Sequence, residues 1–172
     1  HVGKYDYYGL GALAPRAFPH LLARDLKAIH AMGVRAFHSE LYPYWAHMGP
    51  MLYVASRLLW DVRLDPDRLL REFYSAFGPA AGEIRAFYET HEAAWMSQKT
   101  GKWFGGIGSA AEQMDFYTPA RAARAAEHLR RAKALATDET TRARVDFIAR
   151  SYAYPDLLLR GCTTARAIGE AA

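Results

Sequence analysis

The stretch from Val2 to Leu41 constrains the fold more than any other part of the chain. Val2–Tyr8 (VGKYDYY) alternates and is rich in aromatic residues, a pattern that favours a strand. Gly9 and Gly11 break it. Pro19 stands where a first helical turn should begin, and Leu22, Leu26, Ile29 and Met32 then recur at three- and four-residue steps. Gly33 follows as a C′ glycine, and Val34–Leu41 (VRAFHSEL) reads as a second strand. Strand, helix, glycine, strand is a βαβ unit, so the two strands are expected to run parallel. Two parallel strands need neighbours at their edges and cover on both faces. The economical picture is the last two strands of a parallel α/β barrel or sheet.

Everything after that unit reads as helix. Pro50 opens a helix through Trp60, and Asp65-Pro66 caps and starts one carrying Leu69, Leu70, Phe73 and Phe77. Gly78-Pro79 ends it. Glu83–Met96 follows, with Ile84, Phe87, Tyr88, His91 and Trp95 on one side. Ser97–Phe116 is Gly-rich and without period. Thr118-Pro119 caps a helix to about Ala136, Thr137-Asp138 starts another to about Tyr152, and Pro155-Asp156 starts the last. The fold class is therefore mainly α with a short βαβ start. Residues 1–62 form the strand-bearing part and 63–172 a C-terminal region of bundle-like helices.

Composition excludes several classes. Hydrophobic residues make up 51% and aromatic residues 13%, which is globular and not disordered. No apolar run approaches the roughly 20 residues that span a membrane, so no membrane partner is expected. The net charge of +4 is carried by Arg121, Arg124, Arg130 and Arg131 among others. A stripe of that kind reads as a solvated helix face, not a nucleic-acid surface. Cys162 stands alone and reads as a packed thiol. The chain opens at His1 without a visible signal peptide and ends in an Ala-rich helical stretch, so it is expected to be part of a longer protein. Localisation stays open, secretion included, and so does oligomeric state.

In parallel α/β folds reactive groups gather at the C-terminal ends of strands. Here those ends carry Asp6 and Glu40, the candidate acid/base pair. Alternation puts Val34, Ala36, His38 and Glu40 on one face and Phe37 and Leu41 on the other. Two carboxylates at a cleft divide acid and base work in glycoside hydrolysis, and aromatic rings stack on sugar faces. Tyr7, Tyr8, His38, Tyr44 and Trp45 are the candidate substrate-binding residues, with Tyr42 beside them. Against this stands the plainer role of an acid at a strand end, as a cap or the partner of a basic side chain. Tyr5 and Phe37 read as core.

Other signals fail their tests. His38, Glu40 and His47 match no standard zinc spacing, so no metal is expected. No cofactor is expected either. Lys102–Gly108 (KWFGGIG) lacks the phosphate-loop pattern, and no G-x-S-x-G elbow occurs. His20 and His30 fall on a polar helix face and His91 on an apolar one, and all three read as structural.

Order and spacing over about residues 2–96 carry a resemblance. The run Tyr5-Asp6-Tyr7-Tyr8, the Pro19–Gly33 helix and the strand Val34 to Glu40 are followed by Tyr53–Asp61 (YVASRLLWD) and Pro66. Glu72-Phe73, Phe77-Gly78, Ala81, Ile84 and Phe87-Tyr88 complete it. This resembles the bacterial family called domain of unknown function 4838, grouped with the TIM-barrel glycoside hydrolases. The resemblance implies a (β/α)8 barrel of which this chain holds the C-terminal part, and a distant likeness to α-glucuronidases and β-N-acetylhexosaminidases. It implies a carbohydrate substrate or ligand and glycosyl-bond hydrolysis. In similar barrels the acid/base residues lie mainly on middle strands, which would make Asp6 and Glu40 subsite residues. A non-catalytic helical interaction module or a carbohydrate-binding domain is the alternative.

Overall fold

The computed structural model describes residues 3–6, 16–39, 45–98 and 116–171. Its elements run β1 (Gly3–Asp6), α1 (Pro19–Ala31), β2 (Ala36–Ser39), α2 (Trp45–Trp60) and α3 (Pro66–Ser75). A 3₁₀ turn (Gly78–Ala80) leads into α4 (Ala81–Met96), and α5 (Pro119–Leu135) and α6 (Glu139–Ala171) follow. The chain is mainly helical.

Among the described residues the sheet has two strands. They pair in parallel with Gly3 opposite Ala36 and Asp6 opposite Ser39. The βαβ start is thus as the sequence implied, with β2 beginning at Ala36 and not at Val34. Gly33 takes φ +89°, the left-handed turn that ends α1 and sends the chain back along the sheet. Alternation along β2 is also as expected: Ala36 and His38 are exposed, while Phe37 packs on the core.

The local signals at three helix starts hold. Asp65 accepts from the backbone N–H groups of Asp67 (3.1 Å) and Arg68 (3.3 Å), and Thr118 accepts from Arg121 N–H at 3.3 Å. Asp138 accepts from Thr141 N–H at 2.8 Å just ahead of α6. The largest helix–helix contact joins α4 to α5. On α4, Ile84, Phe87, Tyr88, His91 and Ala94 are buried; on α5, Ala122, Ala125, Leu129 and Ala132. The small residues let α5 approach closely enough for the aromatic face of α4 to fill the gap.

Two prolines depart from expectation. Pro50 does not open α2 but lies inside it, and Pro155 does not start a last helix but lies inside a continuous α6. An interior proline leaves the carbonyl four residues earlier without its N–H donor. Those carbonyls belong to Ala46 and Ser151. The Tyr88 hydroxyl donates to Ala46 O, and His47 Nε2 lies 2.9 Å from Ser151 O. A donor from a neighbouring helix thus replaces each missing bond, and both helices continue. One further position departs from the periodic stripe of α1: Met32 is 81% exposed.

Candidate functional site

Parallel pairing sets the last residue of β1 beside the last residue of β2. Asp6 is the last residue of β1 and stands in register with Ser39, the residue before Glu40 in the sequence. Glu40, Tyr7, Tyr8, Tyr42 and Tyr44 lie outside the described residues, as does the Lys102–Gly108 segment. Trp45 is the first residue of α2. His38 sits on the exposed face of β2, opposite Tyr5 in the ladder.

The buried side of β2 has a different character. Phe37 and Ser39 line a cleft of about 230 Å³ together with Leu22, Met48, Met51 and Leu59. Its walls are almost wholly apolar, which suits packing and not acid/base chemistry.

A polar constellation that sequence reasoning missed lies at the N-terminal end of α1. His20 Nδ1 meets both Glu92 oxygens at 2.9 and 2.8 Å, and its Nε2 meets Asp67 Oδ1 at 3.0 Å. The His20 backbone N–H also donates to Glu92 Oε1 at 3.1 Å. Partial burial disfavours a charged ring, but the hydrogen bonds and charges of Glu92 and Asp67 outweigh it and raise the His20 pKa. With both nitrogens committed to carboxylates, the ring ties α1, α3 and α4 together and has no position left for a substrate proton. Beside it Phe18 stacks on Trp95 at 4.9 Å, and the Arg16 guanidinium lies 5.2 Å from the Trp95 ring. Asp67 and Glu92 are 47 and 72 positions from His20, so no spacing rule finds them.

His47 donates to Ser151 and His91 lies in the aromatic interior, so neither joins the strand ends. Among the described residues no three His, Cys, Asp or Glu side chains converge to hold a metal ion. The arginines of the late helices are largely engaged within the chain. Arg130 and Arg131 both bind Glu127 at 2.7 Å, Arg160 binds Asp156 at 2.9 Å, and Arg121, Arg142 and Arg144 donate to backbone carbonyls. Three of these six are thus paired with carboxylates three or four residues away on their own helix. No helix of the described residues is long and apolar enough to cross a membrane. No family model, curated protein or solved structure matches the chain.

Proposed function

We propose that the chain is the C-terminal part of a glycoside hydrolase-like protein of (β/α)8 type, acting on glycans through the ends of β1 and β2. The supporting observation is the parallel βαβ unit itself. Its register sets Asp6 against Ser39, the residue before Glu40 in the sequence. The exposed Ala36–His38 face of β2 is a second support, since a parallel sheet is ordinarily covered on both faces. Asp6 and Glu40 are read as acid/base or subsite carboxylates. Tyr7, Tyr8, His38, Tyr44 and Trp45 are read as sugar-contacting groups.

The test is hydrolysis and binding of an oligosaccharide panel by the full-length protein carrying Asp6→Asn or Glu40→Gln. Loss of an acid or base should lower turnover by about 10²–10⁴ with affinity largely kept. Loss of a subsite contact should weaken binding instead. Unchanged turnover and affinity in both variants would remove the pair from the site.

A second reading, a helical interaction module without catalysis, is favoured by the late helices. A groove of about 350 Å³ runs between α5 and α6, walled by Ala122, Ala126 and Leu159. On α6, Tyr154, Leu157 and Ile168 are 50%, 68% and 67% exposed. Light scattering separates the readings: self-association abolished by Leu157→Ser with Ile168→Ser would favour the module.

A further inference from the structure

α6 is 33 residues long, and only its first part has the bundle behind it. Val145, Ile148, Tyr152, Pro155 and Leu159 form its buried face. After Leu159 no described residue of α6 is buried. Residues 160–171 carry on for about 18 Å beyond that last buried side chain.

A second stripe runs along the side of α6 away from the bundle. Tyr154, Leu157, Gly161, Thr164 and Ile168 recur at three- and four-residue steps, and all five are exposed. That is the spacing by which one helix packs along another. The stripe holds no charged side chain, and Arg160 beside it is paired with Asp156 at 2.9 Å.

Gly161 is out of place in a lone helix, because glycine weakens a helix interior. The packing of a single copy does not ask for it. A Cβ at this position would meet no atom of the described residues within 4 Å, and the φ of Gly161 is not positive. Its effect is to leave a hollow on the outward surface, with Leu157 on one side and Thr164 and Ala165 on the other.

We propose that this stripe is a dimer interface, on which α6 of a second copy lies antiparallel, the two helices meeting closest at Gly161–Thr164. The proposal rests on the interaction-module reading and names the partner that reading leaves open. The stripe fits itself. Read from either end it runs large, small, small, large: Leu157, Gly161, Thr164, Ile168. Turned end for end, Leu157 of each copy meets Ile168 of the other, and Thr164 of each fills the hollow over Gly161 of the other. Within the stripe no like charges are brought together. A parallel pair would set hollow on hollow at Gly161 and both bundles at one end. The antiparallel pair sets the bundles at opposite ends and lays each bare helix end along the bundle-backed half of the other. Five side chains a helix fall short of the roughly 20–30 residues of a standard interface, so association is reversible and depends on concentration.

Sedimentation velocity of the full-length protein over a range of concentrations tests the pairing, with a monomer–dimer equilibrium expected. Gly161→Leu adds a side chain where a single copy has room for one. It should therefore fold as well as the parent by circular dichroism, yet raise the dimer Kd about tenfold or more. In a Cys162→Ser background, oxidation of a mixture of Leu157→Cys and Ile168→Cys proteins should give the mixed disulfide dimer in preference to either like-with-like dimer. A preference for like-with-like dimers, or a Gly161→Leu protein that dimerises undiminished, overturns the antiparallel pairing. If Leu157→Ser with Ile168→Ser abolishes association in that case, the module reading stands without it. A full-length protein that stays monomeric at every concentration overturns the pairing and withdraws the support of the module with it.

Discussion

Tyr88→Phe removes one oxygen and isolates the mechanism that lets α2 run through Pro50. The ring is 2% exposed and keeps its packing on Phe73, Tyr74 and Phe87 when the hydroxyl goes. What is lost is the donor to Ala46 O, a carbonyl whose helical partner position is occupied by proline. A buried acceptor left unsatisfied costs about 1–3 kcal/mol. At this chain length that lowers Tm by roughly 2–10 °C. Pro50→Ala supplies the missing N–H, so in that background Ala46 O has a partner of its own and Tyr88→Phe should cost less than about 0.5 kcal/mol. The separate packing cost of trimming the buried Pro50 ring appears on both sides of the double-mutant cycle and cancels. Urea unfolding of the four proteins, followed by far-UV circular dichroism, should give a coupling of about 1–2 kcal/mol. Additivity within about 0.3 kcal/mol, or a Tyr88→Phe cost that is the same beside alanine as beside proline, would refute the substitution of one donor for the other.

Gly49→Ala should destabilise by about 1–2 kcal/mol in the same assay although alanine is the better helix former, because its Cβ would stand 3.0 Å from Phe73 Cζ and 3.4 Å from Tyr88 Oη; a stabilised variant would show that the Phe73 ring yields freely. Asp65→Ala should cost about 1 kcal/mol through loss of the α3 cap, with Asp65→Asn nearly neutral. The raised pKa of the His20 tie gives stability that is full below 6.5 and is lost as pH rises through the folded value. With His20 about half exposed, the effect after screening is under about 1 kcal/mol, and thermal melts between pH 6 and 9 should lose that alkaline decline in His20→Gln.

The parts of the fold legible in the sequence are those decided within one helical turn. Asp65-Pro66 and Thr118-Pro119 carry their caps beside their first turns, and Gly33 meets a backbone angle that favours glycine, so each boundary is visible locally. Pro50 and Pro155 mislead for the converse reason. The local cost of each is real, but it is offset by a donor 42 positions from Ala46 in one case and 104 positions from Ser151 in the other. Periodicity has a similar blind spot at helix ends. Met32 continues the apolar stripe of α1, yet it falls at the C-cap, past the point where a neighbour covers the stripe. The His20 tie was hidden because its carboxylates arrive from two other helices.

Of the candidate site, what topology decides is the parallel pairing of β1 and β2. Had the strands run antiparallel, Asp6 would stand against the start of β2. The return helix makes them parallel, and parallel pairing alone sets Asp6 level with Ser39. The same topology leaves β2 with two unlike faces. Phe37 meets apolar side chains of α1 and α2, whereas Ala36 and His38 meet solvent. A four-residue parallel pair of this kind gains little from its own ladder, so its register rests mainly on the return path through α1 and on the half-buried ring of Phe37.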